Sequence, residues 1–119
     1  MQGFEAWFLR KIGKEGTMPD FRSRQQQRKE ESISIDQQLA RLEEDIRRLK
    51  IDFDVYFNGG SKRPPHEARG RVEATIKRIS DNRNLTYAQR YFFNNLVARY
   101  TSYRELWRRT LKARNEPTF

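Results

Sequence analysis

Seven apolar side chains between Ile35 and Tyr56 constrain this chain more than any other feature of its sequence. Ile35, Leu39, Leu42, Ile46, Leu49, Phe53 and Tyr56 follow one another at spacings of 4, 3, 4, 3, 4 and 3, an unbroken a/d heptad. A strand would scatter these residues over two faces. A helix gathers them into one stripe, which a partner helix must cover. The spacing therefore predicts a helix over 35–57. Ser34 and Gln37 match a capping box at its start, and Asp36 puts a negative charge at the positive pole of the dipole. Asn58-Gly59-Gly60 stops it, with Gly59 suited to the left-handed position after the last turn.

Two further helices follow. Pro64-Pro65 opens the first, with Pro65 predicted at N1 and Glu67 in the first turn. Ala68, Val72, Ile76 and Ile79 form a thinner stripe through residue 80. Thr86 and Gln89 match a second capping box and open the longest helix, over 87–114. Along that helix Phe93, Leu96, Tyr100, Tyr103, Trp107 and Leu111 run down one side, flanked by Phe92, Val97 and Leu106. Lys112 and Arg114 suit its negative pole, and Pro117 ends any helix.

Ahead of these, Phe4, Trp7, Phe8 and Ile12 predict a short amphipathic helix within 1–16, closed by Gly13 and Gly16. Residues 17–33 are polar and read as a linker or a frayed helical lead-in. Met18 also offers a second start for translation. The expected organisation is an N-terminal helix over 1–16, a linker over 17–33 and a helical domain over 34–115.

A chain of 119 residues suits one domain. Hydrophobic residues make up 35% and charged ones 34%, which favours narrow apolar seams over a spherical core. At ~1.5 Å per residue the three helices are roughly 34, 24 and 42 Å long. Short connections make neighbours antiparallel, so the predicted fold is all-α, a three-helix up-down-up bundle with coiled-coil-like long helices. Because the last helix outruns the middle one, its end over Tyr103–Leu111 is expected to project past the 58–64 loop. That loop, the N-terminal aromatic segment or a second molecule would have to cover Tyr103, Leu106, Trp107 and Leu111.

Charge is distributed unevenly. Residues 32–60 carry four basic and six acidic side chains, whereas residues 61–119 carry fourteen basic and five acidic ones, the whole formal excess of +9. Arginine outnumbers lysine by 18 to 7, and its planar fork suits phosphates, carboxylates and aromatic faces. Such a field attracts polyanions.

Motifs that carry chemistry are few. The absence of cysteine excludes disulfides, thiolate zinc sites and cysteine nucleophiles, and fits a reducing compartment. No apolar run approaches the ~20 residues of a membrane span, and the first residues lack the order of a secretory signal, so a cytoplasmic location is expected. His66 is the single histidine and reads as a first-turn helix residue. No metal-binding pair accompanies it, and neither a metal nor a cofactor is expected. Glu43, Glu44, Asp45, Asp52 and Asp54 read as a solvated helix face paired with Arg47, Arg48 and Lys50. Asn58-Gly59-Gly60 has no Gly-Lys-Ser/Thr after it and is no phosphate loop. These readings together predict a non-enzyme.

Binding readings remain. Large aromatics rimmed by arginine resemble interface hot spots, so the leading expectation is a protein-interaction or scaffold module that binds itself or another protein. Phe92, Tyr100, Tyr103 and Trp107 are the candidates for core or partner contacts, with Leu106 beside them as a candidate contact and Arg63, Arg104, Arg108 and Arg109 as the polar rim. The alternative is sequence-nonspecific RNA or ribosome binding through the basic second half, where Arg90, Arg99, Lys112 and Arg114 join the same arginines. Phe4, Trp7 and Phe8, with Arg10, Lys11 and Lys14, also fit a weak contact with an anionic membrane surface. Docking on the projecting end of the bundle explains the same residues and is preferred.

The order LEEDIRRLKIDFDVYF (Leu42–Phe57), NGG, RPP, YAQRYFFNNLVARY and YRELWRRTLKAR resembles a family of small uncharacterised bacterial helical proteins with no assigned activity. The resemblance covers roughly residues 35–115. It implies a bacterial source and a helical fold, and it carries no functional residue over.

Overall fold

The computed structural model describes residues 21–119, with side chains from Ser23 onward. It is all-helical: α1 spans Phe21–Phe57, α2 His66–Ser80 and α3 Tyr87–Ala113, and no strand occurs among the described residues. Residues Ser34–Phe119 form a compact unit. The expected short helix over 1–16 lies outside the described residues.

α1 begins at Phe21, well before the predicted start at 35. No glycine or proline interrupts residues 20–57, and residues 24–31 are all Arg, Gln, Lys or Glu, which are good helix formers. Gln26 donates to Glu30 one turn on at 3.2 Å. The polar stretch over 21–33 is therefore helical. The capping box predicted at Ser34 does not form, because residues 34–37 lie inside a continuous helix. Ser34 Oγ instead accepts from Gln38 Nε2 at 3.4 Å.

The other end of α1 closes as the glycines require. Gly59 has φ 85°, its N–H donates to the Tyr56 carbonyl at 3.0 Å, and Gly60 N–H donates to Val55 O at 2.8 Å. This pair of bonds is a Schellman motif. A Cβ at Gly60 would lie 2.8 Å from Val55 Cγ1, so the reversal is tight as well as left-handed.

α2 starts one residue later than its prolines suggested. Pro65 sits at the N-cap, and its carbonyl accepts the first intrahelical bond from Arg69 N at 3.0 Å. α3 opens as predicted: Gln89 N–H donates to Thr86 Oγ1 at 3.1 Å, and Thr86 N–H donates to Gln89 Oε1 at 2.9 Å. At its other end Asn115 takes φ 57° and turns the chain, and Glu116 N–H donates to Leu111 O at 2.9 Å.

The core is the predicted seam. Ile35, Leu39, Leu42, Ile46, Leu49, Phe53 and Tyr56 are all buried, with Val72 and Ile79 from α2 and Phe93, Leu96, Tyr100, Trp107 and Leu111 from α3. Burying a side chain of this kind contributes ~1.5–3 kcal/mol, and one stripe per helix suffices for a chain so rich in charge. Contacts between α1 and α3 advance together along both helices. Asp36 meets Gln89, Glu43 faces Arg99, Phe53 stacks on Trp107, and the Phe57 carbonyl lies near Arg114.

Candidate functional site

The end of α3, predicted to project, is covered by its own chain. Trp107 is 2% exposed and Leu111 is fully buried. The Phe53 ring lies 4.1 Å from the Trp107 ring at 15°, and the Tyr103 ring stacks with the same indole at 5.9 Å. Phe119, beyond the helix, packs edge-on against Phe53 at 6.2 Å. The 1–16 segment, one of the expected covers, lies outside the described residues, and Leu106 stays 53% exposed. The predicted overhang came from comparing α3 with α2, whereas α1 lies beside α3 through the last turns of both.

The predicted contacts therefore separate. Tyr100 and Trp107 are buried, at 4% and 2% exposed, and belong to the core rather than to a partner surface, the first of the two places that the sequence left open for them. Tyr103 is half-buried, with Lys50 Nζ 5.9 Å above its ring. Arg104 donates from Nε to Glu73 at 3.1 Å, and Arg108 donates to Glu105 at 2.8 and 3.2 Å. Leu106 at 53% exposed, Arg63 and Arg109 remain on the surface.

Glu73 joins α2 to α3. It accepts from the Tyr100 hydroxyl, from Arg69 Nη1 at 3.0 Å and from Arg104 Nε. Burial works to raise its carboxyl, but these three donors prevail and hold it below the ordinary value of 4.5. Burial first, and then the bond to Glu73, push the Tyr100 phenol well above its ordinary value of 10.0. An acid satisfied by three donors in this way is structural. The acidic residues of α1 are spread along its surface, where Arg47 pairs with Glu44 and Lys50 with Asp54 at 2.8 Å. Among the described residues no cluster of His, Asp and Glu is placed to hold a metal ion. Nor is any helix there long and apolar enough to cross a membrane.

The surface least like a solvated face lies at the start of α3, where the sequence reading did not look. Tyr87 is 90% exposed and Tyr91, one turn later, 66%. Following that outward face along the helix gives Asn94, Asn95, Ala98, Thr101 and Ser102, all exposed. None of these seven side chains carries a charge, in a chain in which 34% of residues do. Arg90 and Arg99 stand on its two edges. On the adjoining side Phe92, 38% exposed, looks into a groove of about 220 Å³ lined by Asp36, Leu39, Glu43 and Ala88. That volume admits a side chain and falls short of a small-molecule site of ~300–1,000 Å³.

The mount beneath this face is stiff. Gln89 is buried, closes the capping box with one end of its amide, and donates from Nε2 to Asp36 on α1 at 2.8 Å. The first turn of α3 is thereby pinned to α1, and Tyr87 and Tyr91 are presented from a fixed backbone. The sequence held a signal for this face in the run of uncharged residues at i, i+4, i+7 and i+11 from Tyr87 (Tyr91, Asn94 and Ala98), away from the apolar seam. No protein-family model, curated protein or solved structure matches the chain.

Proposed function

We propose that this protein is a non-enzymatic interaction module, and that it docks a partner protein on the outward face of α3. The observation that carries the reading is the uncharged strip Tyr87, Tyr91, Asn94, Ala98 and Ser102 with arginines along its edges. Interface centres are depleted in charge and enriched in tyrosine and arginine. Tyrosine supplies contact area with little rotamer freedom to lose, and short Asn and Ser side chains supply adaptable hydrogen bonds. The contact thus moves from the far end of α3, where the aromatics are core, to its beginning. An up-down-up bundle belongs to the same proposal, supported by the advancing α1–α3 contacts and by Glu73 on α2 meeting Tyr100 and Arg104. So does a cytoplasmic location.

RNA is the second reading, favoured by one observation: Arg90 and Arg99 flank exposed tyrosines on which unpaired bases could stack. The two readings separate by salt. Three phosphate contacts give a slope of about −2 in log K against log salt for a single strand, so fourfold more salt weakens binding about 20-fold. Contact through the uncharged strip changes little.

The test captures partners from native lysate with the parent chain and with the Tyr87→Ala/Tyr91→Ala variant, with and without nuclease, at low and physiological salt. Sedimentation of the purified chain is run beside it. Nuclease-resistant protein capture, or self-association, that is lost in the variant is the expected result. Capture that survives the double substitution, or that nuclease abolishes, refutes the protein reading.

A further inference from the structure

We infer that the seat of the Phe119 ring is a recognition pocket for an aromatic residue of a partner peptide, filled in the described state by the chain's own segment 115–119. This does not depend on the α3 face described above.

The seat is built by side chains from all three helices. Arg69 of α2 lies over the Phe119 ring at 4.1 Å and Arg104 of α3 at 5.1 Å. The His66 ring meets it edge-on at 5.8 Å, and Phe53 of α1 does so at 6.2 Å. Two guanidiniums and two ring edges around one ring form an aromatic cage of inverted sense, with cations gripping an aromatic guest. Glu73 holds both arginines, at 3.0 and 3.1 Å, and so sets the cage without reference to its guest.

Two observations distinguish this seat from ordinary core. The guest comes from a short irregular segment and not from the helices that make the seam. It arrives through a left-handed turn at Asn115, φ 57°, in a residue with a Cβ. The wall is also incompletely satisfied: His66 Nδ1 and Arg69 Nε are buried without a hydrogen-bond partner. Buried polar atoms rarely remain unpaired in a finished core, and a guest with a suitably placed polar group would pair them. The native segment leaves both unused, as an imperfect intramolecular stand-in would.

The stand-in also defines the chemistry of the guest. Glu116, three residues before Phe119, faces the Tyr56 hydroxyl and lies 3.5 Å from Arg114. The second oxygen of its carboxylate is buried without a partner. Pro117 stiffens the intervening backbone. The occupant that fits is a peptide with an acidic residue three positions before an aromatic one, the aromatic entering between Arg69 and Arg104. Tethering gives segment 115–119 an effective concentration of ~mM, so a partner binds the intact chain weakly until it displaces that segment.

The experiment measures the anisotropy of a labelled synthetic peptide carrying Asn115–Phe119, titrated with the parent chain and with Phe119→Ala. A peptide ending in alanine is the control. Phe119→Ala should bind at least ~10-fold more tightly than the parent, because it has no competing ring in cis, and the control peptide should bind neither. Equal binding to parent and variant overturns the inference, as does no binding to a variant that keeps its helical circular dichroism. Loss of helical signal in Phe119→Ala also overturns it, since the ring is then part of the core. A para-fluoro Phe119 in the otherwise intact chain gives a second readout: saturating peptide should shift its resonance towards that of an exposed ring, and an unmoved resonance rules displacement out. Dimers of the parent chain that dissociate on Phe119→Ala would make the occupant a second copy and exclude the partner peptide.

Discussion

Trp107→Ala separates the two roles that the sequence leaves open for this residue, core and partner contact. The indole is 2% exposed, stacked on Phe53 at 4.1 Å and on Tyr103 at 5.9 Å. A buried tryptophan removes ~200 Å² from water, which at ~25 cal/mol/Å² is worth ~5 kcal/mol. Large-to-small substitutions of buried aromatics cost ~3–5 kcal/mol, and loss of the stack lies within that range. A domain of this size has a total stability of ~4–13 kcal/mol, so the substitution removes from about a third to nearly all of it. In urea, with a slope of ~2 kcal/mol/M, the midpoint should fall by about 2 M, read by far-ultraviolet circular dichroism. Leu106→Ala, one residue away and 53% exposed, should cost no more than ~0.5 kcal/mol. If Trp107→Ala unfolded within ~0.3 M of the parent, the packing of the α3 end described above would be wrong.

Two other perturbations probe the joints between helices. Gln89→Ala removes half of the capping box and the bond to Asp36, and should cost ~2 kcal/mol, lowering the melting temperature by about 10 °C; Thr86→Ala, which loses the cap alone, should cost ~1 kcal/mol. In the folded state Tyr100 holds its proton above the ordinary 10.0, so its contribution is complete below about pH 10 and is lost as pH rises beyond it. Glu73 is held below 4.5, so its contribution is present above about pH 4.5 and is lost on acidification. Urea midpoints across pH should show a plateau between those limits, and Tyr100→Phe should flatten the alkaline fall. An unchanged alkaline fall would show that the Tyr100–Glu73 bond is not its source.

The sequence revealed the parts of the fold that are periodic. The seam Ile35–Tyr56, the stripe of α3 and the Thr86 capping box each repeat a local rule, and each is found where the spacing puts it. What escaped has no local signature. Nothing within 21–33 distinguishes a polar linker from a polar helix, and the absence of Gly and Pro was the better guide. The cover over Trp107 comes from Phe53, more than fifty positions away, and Phe53 is itself packed by Phe119, a single ring in a stretch with no period. Helix length compared only between sequence neighbours therefore produced an overhang that α1 removes. The face of Tyr87 and Tyr91 was overlooked for a related reason: attention to apolar residues finds the core, while a surface is marked by what its polar face lacks.

Arginine number alone says little about polyanions in this chain. Arg104 is engaged with Glu73 and lies over Phe119, Arg69 does the same from α2, and Arg108 is paired with Glu105. Reversing Arg104 would break the α2–α3 joint and the Phe119 seat together, and any loss of RNA binding would then report on the fold. Arg63, Arg90 and Arg109 are exposed, and no ion pair is formed by them among the described residues. A phosphate can reach these three without displacing a carboxylate, so they carry the charge that the RNA reading requires. The protein reading needs Tyr87 and Tyr91, on which bases would also stack. Substituting the tyrosines therefore weakens both, and the two hypotheses separate by salt dependence and by the charge of Arg63, Arg90 and Arg109.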